Sequence, residues 1–422
     1  MTAGGEGELF PQALRDLLAA HGPSGHESAA AAVWRAAAEA WGAEVQTDLV
    51  GSVSARWPSG GGEAGGVGGA EMGAVGAGRS AAGGGELGGA RSGHRKRSKG
   101  GERSLAAPAV QSTAAASAPT AAGEVRRLLV MGHIDEIGLI VTHIDDDGFL
   151  WFAEVGGWDA QVLVGQRLRI ATREGPLPGV VGRKPIHLLR DEDRKKVAEI
   201  RDLHIDIGAR DGDHAAELVR VGDVAVIDAE PLELPGGRLA ARALDNRIGS
   251  FVALRAAQLV AQAGGVDGWE VIAVGAVQEE TTFGGSRTSA FALAPHAAIV
   301  VDGTHATDAP GIEAKETGRH PLESGPVLSR GSTLHPALFE LLHDAAESEA
   351  IPFTVEAAGR STGTDADAVH LSREGVPTAL VSIPMRYMHS PVELVALSDV
   401  HACARLIAAA ACRLDRETSF AR

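Results

Sequence analysis

The 422-residue sequence predicts an α/β protein carrying a compact β-rich insert. Three observations lead there. After Ala241, apolar strands alternate with helical segments; from Gly138 to about Arg238, short strands are separated by Gly- and Asp-rich turns; and metal-type side chains follow several of the strands. Strand–helix alternation argues for a sheet covered by helices. In such folds, functional residues gather outside the carboxyl ends of the strands.

Taken in order, Leu9 to Ala20 has apolar residues at helical spacing. The segment His21 to Glu27 (HGPSGHE) breaks it, and Ser24 or Ser28 is placed to cap a second helix over Ala29 to Trp41. Thr47 to Trp57 reads as a hairpin with Gly51 near its turn. Residues 58–124 are then almost entirely Gly, Ala and Ser. So few large apolar groups do not offset the entropy of ordering, and the segment reads as a disordered insertion between neighbouring strands. Closing a long loop costs only logarithmically more than closing a short one. Its basic run, Arg91 to Arg103, has no aromatic residues for stacking and reads as a solvated loop.

In the β-rich part, LVGQRLRIAT, GVVGRKPIHLL, DLHIDIGA and VGDVAVID supply strands, and RDEDRKKVAEI a short charged helix or loop. Beyond it, Asn246 to Ala263 reads as an amphipathic helix and Glu270 to Gln278 as a buried strand. Ala297 to Val301 and Ala379 to Pro384 are further strands, and Val400 to Leu414 is the closing helix.

Composition narrows the class. With 44 % hydrophobic and 22 % charged residues, the chain is an ordinary soluble globular protein, and 4 % aromatics implies a core of Ala, Val and Leu. No apolar run reaches the roughly 18 to 20 residues needed to cross a bilayer, so no membrane association is expected. The N-terminal residues lack the basic and apolar regions of a signal peptide. Cys403 and Cys412 lie nine residues apart on one predicted helix, too distant for a disulfide, and a cytoplasmic location is expected. A net charge of −16 argues against nucleic-acid binding. Residues 57–124 carry seven Lys or Arg against five Asp or Glu, a balance of +2, so the remainder carries −16 − 2 = −18.

Five candidate metal ligands stand at predicted strand exits: His133 in MGHIDEIG, Asp245 in ALDNR, Glu280 in VQEE, Asp302 in VVDGTH and His389 in MHSPVE. Two imidazoles and three carboxylates hold two divalent cations if one carboxylate bridges them. Such a pair activates water, so hydrolysis is the leading reading. Asp135 is placed to fix the His133 ring or orient another group beside the ions. Asp245 alone would read as a helix cap; together with the other four it reads as the bridge. Adjacent acids at Glu279 and Glu280, ending an apolar strand, are costly unless cations or protons compensate them. One can bind metal while its neighbour faces the water as general base. Asp308, His305 and Asp365 read as hydrogen-bonding scaffold, and Glu393 as a partner that orients His389.

In order, these motifs resemble the M42 family of metallo-aminopeptidases, which includes glutamyl aminopeptidases and the tetrahedral TET peptidases. The resemblance covers nearly the whole chain outside 58–124: GPSGHE, GHIDEIG, EVGGWDAQVLVGQRL, GVVGRKPIHLL, DLHIDIGA, ALDNR, QEE, VDGTHATDAPG, STGTDADAV and MHSPVE. It implies a phosphorylase/hydrolase-like α/β catalytic domain, with a central mixed sheet flanked by helices, over residues 1–57, 125–137 and 239–422. Residues 138–238 would form an inserted small β-barrel-like dimerisation domain. By the same resemblance His133 and Asp302 hold one divalent ion, Glu280 and His389 the other, and Asp245 bridges. Glu279 matches the catalytic base and Asp135 the acid that orients the His133 side. Zinc is expected, with cobalt or manganese compatible with the N/O donors. The implied activity is removal of N-terminal residues from short peptides, in a dimer-based homo-oligomer of up to twelve subunits. A deacylase or carboxypeptidase with the same ions is the alternative, and a non-catalytic assembly protein a third reading. Two departures stand out: Thr281–Thr282–Phe283–Gly284–Gly285 follows the acidic pair where the family has a Val- or Ile-Gly run, and the insertion is outside the pattern.

Overall fold

The computed structural model describes residues 9–58, 125–192 and 194–421. The expected disordered insertion lies outside the described residues except for Pro58, and so does the basic run Arg91 to Arg103. Strands in chain order are β1 Glu44–Thr47, β2 Val53–Arg56, β3 Arg126–His133, β4 Gly138–Ile144, β5 Leu150–Val155, β6 Arg167–Thr172, β7 Gly175–Arg183, β8 Leu203–Asp206 and β9 Val224–Ile227. They continue with β10 Leu232–Leu234, β11 Arg238–Ala241, β12 Trp269–Ala276, β13 Ala297–His305, β14 Val327–Gly331, β15 Thr354–Ala358, β16 Thr378–Arg386 and β17 Glu393–Ala396.

Among the described residues, eleven strands form one mixed sheet and six close into a barrel. The sheet runs β1-β2-β12-β3-β13-β16-β17-β11-β10, with β14 and β15 branching from β16. Its middle, β12-β3-β13-β16, is parallel, and the strands that flank it are antiparallel. Parallel strands are covered on both faces and so read as continuous apolar runs. In β3, Leu128 and Val130 enter one core while Leu129 and Met131 enter the other. The first core lies under helices Gln12–Ala19, Ser28–Ala40, Leu244–Gln262 and Leu397–Ala411; the second lies under Gly284–Leu293 and Ala366–Val369. The barrel, β4-β5-β8-β7-β6-β9, encloses a third core that includes Leu150, Ile170 and Ile205.

Several elements differ from expectation. The helix Leu244–Gln262 is buried on nearly every face, including Arg247 at 0 % exposure, because helices pack on the side away from the sheet. It is a core helix and not an amphipathic one. Neither serine caps the second helix: it begins at Ser28 with no side-chain cap, and the Ser24 hydroxyl lies 3.0 Å from that of Thr281. In the charged stretch, residues 191–192 and 194–195 lie in turns, and the chain then leads into a 3₁₀ turn, Ile200–Asp202. Strand β13 runs to His305, so Asp302 lies within it and not at its exit. Cys403 is buried and Cys412 exposed, and both are free thiols.

Two close approaches set the site. A Cβ on Gly132 would stand 2.4 Å from the Gly249 carbonyl carbon, so only glycine lets the core helix cross β3 beside His133. A Cβ on Gly157 would come within 3.2 Å of His389 Nδ1, which brings the chain leaving β5 against the mouth of the site.

Candidate metal centre

The four parallel strands deliver four of the five candidate ligands at one edge. His133 ends β3, Glu280 follows β12, Asp302 lies in β13 and His389 follows β16. Pairing of β13 with β3 stops at Val300–Met131, so the strands part just below Asp302 and leave a crevice there. The fifth, Asp245, rises from the start of the core helix. Its carboxylate does not cap that helix; Asn246 accepts the Gly249 N–H (2.9 Å) and donates to the Val301 carbonyl (2.7 Å). Asp245 is therefore free for the crevice.

Backbone conformation aims these groups. Ala243, Gln278, Tyr387 and His389 all have left-handed φ of 58° to 61°, and each lies within two residues of a candidate ligand. Such conformations cost a non-glycine residue about 1–2 kcal/mol. They persist because the surroundings over-determine them, a pattern that concentrates at functional sites.

The distances define two poles. His133 Nε2 is 3.4 Å from Asp245 Oδ1, 3.6 Å from Glu279 Oε2 and 3.9 Å from Asp302 Oδ1. His389 Nε2 is 3.6 Å from Asp245 Oδ2 and 3.4 Å from Glu280 Oε2. Asp245 thus turns one oxygen to each imidazole. These separations exceed hydrogen-bond lengths. They resemble the donor–donor edges of about 3.3–3.6 Å around a tetrahedral ion with bonds of about 2.0–2.2 Å. By ligand-atom proximity alone, His133 groups with Asp245 and Glu280, and also with Glu279 and Asp302.

Four carboxylates brace the candidate ligands and the backbone around them without joining the cluster. Asp135 Oδ1 lies 3.4 Å from His133 Nδ1 and accepts the Glu279 N–H (3.1 Å), while its Oδ2 accepts the Glu280 N–H (3.1 Å). Glu393 accepts the backbone N–H of both His389 and Asp245, each at 3.0 Å. Glu136 pairs with Arg242 and with Arg247 (2.8 Å), and accepts the Gly22 N–H (3.0 Å). Glu27 accepts the Gln278 N–H (3.0 Å) beside the acidic pair. This is the physical content of the GPSGHE segment: Gly22 and Glu27 tie the chain's start to the crevice floor. Arg242, Arg247 and Asn246 escaped sequence reasoning, although Asn246 and Arg247 stand inside ALDNR; single polar residues in an apolar helix carry no distinguishing pattern. Asp308 is held by Arg386 at 2.6 and 2.9 Å, His305 is exposed, and Asp365 is buried at the start of Ala366–Val369.

Electrostatics show what the cluster lacks. Burial, reinforced by Asp302, Asp365 and Glu280, pushes Glu279 up to about 10, against the pull of His133. Burial and neighbouring acids likewise drive Glu280, Asp302 and Glu393 well above the usual carboxylate range. Burial opposes the charge on His133, but Glu279 and Asp135 outweigh it and hold the imidazole well above its ordinary value. Asp135 is also disfavoured by burial, yet His133 and the two N–H groups keep it ionised. So many buried acids around two imidazoles leave negative charge unmet, and divalent cations supply what protons otherwise must. The donor set fits a metal centre.

Comparison with known proteins agrees. The family model described as M42 glutamyl aminopeptidase matches residues 115–406. The chain is 36 % identical to lysyl aminopeptidase of Pyrococcus furiosus over 280 residues, covering 66 % of this chain and 79 % of that one. It is 31 % identical to glutamyl aminopeptidase of Lactococcus lactis over 281 residues, covering 65 % and 76 %. Among solved structures, the TET aminopeptidase of a marine-sediment Thaumarchaeota archaeon superposes with a TM-score of 0.76 at 30 % identity, covering 96 % of each chain. The TET1 peptidase of Pyrococcus horikoshii, described as assembling into a tetrahedron or an octahedral shell, gives 0.69 at 27 % identity over 96 % and 99 %. With the α/β fold and inserted barrel in common, the chain belongs to the M42 glutamyl aminopeptidase family, a metal-dependent family of peptide hydrolases.

Proposed function

We propose that the protein is a dinuclear aminopeptidase that releases N-terminal residues from short peptides. The observation that carries this is the division of Asp245, one oxygen toward His133 and the other toward His389. In this reading His133 and Asp302 would hold one divalent ion and Glu280 and His389 the other, with Asp245 shared between them; zinc is the leading candidate, with cobalt or manganese also suited to N/O donors. When bound, the ions supply Lewis acidity that makes water a nucleophile at neutral pH and polarises the scissile carbonyl.

The remaining work falls to the chain. Glu279, whose Oε2 faces His133 at 3.6 Å, takes the proton of the attacking water and returns it to the departing amine. Neutralising the neighbouring acids brings Glu279 down from its raised value toward the range of a working base. Asp135 fixes both His133 and the backbone of Glu279, so base and ligand move as one unit. The free amine of the substrate would bind beside the ions and the acidic residues of the crevice, which restricts cleavage to the first peptide bond.

The same reading takes residues 1–57, 125–137 and 239–422 as the catalytic domain and 138–238 as a dimerisation domain in a cytoplasmic homo-oligomer, as the TET neighbours' assemblies suggest. Among the described residues, no helix is long and apolar enough to cross a membrane. The test is hydrolysis of aminoacyl-p-nitroanilides and their N-acetylated counterparts by chelated and metal-restored protein. Cleavage of free-amine substrates alone, lost on chelation and regained with metal, is expected. Cleavage of blocked substrates would move the assignment to a deacylase.

A further inference from the structure

We infer that Glu356 makes this site select peptides beginning with a basic residue, lysine or arginine. The inference rests on the aminopeptidase reading of the same site and names the side chain it takes.

Thr304 follows Asp302 by two positions in β13, and residues two apart on a strand share a face. Its hydroxyl lies 3.3 and 3.4 Å from the two carboxylate oxygens of Glu356, brought over from β15. Two residues of strand span about 6.6 Å. An extended lysine side chain spans about 6 Å from Cα to Nζ. A substrate whose amine and scissile carbonyl sit at Asp302 therefore places a lysine ammonium at the distance of Glu356, if its side chain runs along β13.

Charge supports the same choice. Glu356 is half-buried, and no Lys, Arg or His among the described residues pairs with it. The nearby cation that would instead favour an acidic substrate, Arg386 on the adjoining β16, is engaged at two nitrogens by the carboxylate of Asp308. Arg386 is thereby paired with a carboxylate of its own, while Glu356 is met by the Thr304 hydroxyl.

The test compares lysyl-, arginyl-, glutamyl- and leucyl-p-nitroanilide with the full-length, metal-loaded wild type, Glu356→Gln and Glu356→Lys. Each ratio is taken within one protein, so the folded fraction cancels. In the wild type, kcat/KM for the lysyl substrate should exceed that for the glutamyl substrate by at least tenfold, the scale of one charge-assisted contact. Glu356→Gln should collapse that ratio toward one, chiefly through KM, and Glu356→Lys should reverse it. Wild-type preference for the glutamyl substrate, or a lysyl-to-glutamyl ratio unmoved in both variants, would overturn the inference while leaving the aminopeptidase intact. Failure to turn over any of the four substrates would instead remove the aminopeptidase reading, and this one with it.

Discussion

The barrel and the carboxyl edge of the main sheet solve opposite problems with neighbouring stretches of the chain. The barrel buries apolar side chains such as Leu150, Ile170, Leu203 and Ile205 and keeps its charges outside. Its one acid with a shifted pKa among the described residues is Asp145, a surface group: burial disfavours its charge slightly, and the Trp151 indole and backbone N–H groups hold it below the ordinary range. At the sheet edge, acids are buried together and pushed up. The barrel is complete with its own atoms, whereas the edge gathers acids that, in the proposed reading, a cation would neutralise.

Removing the base tests the edge most severely. Glu279→Gln should lower kcat/KM on a free-amine anilide by about 10²–10⁴-fold, the usual worth of a positioned acid–base group. Its melting temperature should hold or rise, because a buried carboxylate is gone. Activity within threefold of wild type would end the assignment of Glu279.

The barrel should respond in the other currency. Leu150→Ala, at a residue with 0 % exposure, should cost about 2–5 kcal/mol in denaturant unfolding while the folded fraction keeps its metal content. Loss of bound metal from folded protein would show that the two regions are not separable as described.

Glu393→Gln lies between these. It keeps one acceptor for the two N–H groups of His389 and Asp245 where the carboxylate offers two, so metal affinity should fall about 10–100-fold. Titration of apo-protein with zinc measures it, and unchanged affinity would make Glu393 a folding residue only.

The smallest effect separates acids that need a cation from those that need only backbone. Burial raises Asp399 to about 6, with Glu323 and Asp308 adding to the rise, although the N–H groups of Glu323 and Gly325 favour its charge. A folded pKa above the unfolded one favours the protonated form. Its contribution is therefore full below about pH 4 and is lost as pH rises through about 6. Wild type should lose about 1–2 kcal/mol relative to Asp399→Asn between pH 4 and 7, whether or not metal is present. A difference that vanished on metal loading would couple Asp399 to the site.

Much of this is legible because the strands before His133, Glu279 and His389 announce their own exits. The apolar runs before His133, Glu279 and His389 are local, and so are the turn residues that end them. The helix at Leu244–Gln262 misled because its sequence mixes Arg, Asn and Gln with apolar residues, and only the tertiary structure shows that Arg247 is buried against Glu136. Asp302 was misplaced at a strand end because β13 continues beyond its apolar run, paired along one side with β16. Ser24 offered a cap by local rule, but its hydroxyl found Thr281 instead.

By itself the sequence determined the order of chemical groups along the chain, the identity of the candidate donors and the family that carries them, since these depend on residue type and short-range spacing. Tertiary structure alone decided which oxygen of Asp245 faces which histidine, that Glu393 and Asp135 each hold two backbones at once, and that Glu356 comes to rest beside Thr304. Those relations join residues tens to hundreds of positions apart, and their geometry is fixed only when the sheet closes and left-handed turns at its edge are held by packing from every side.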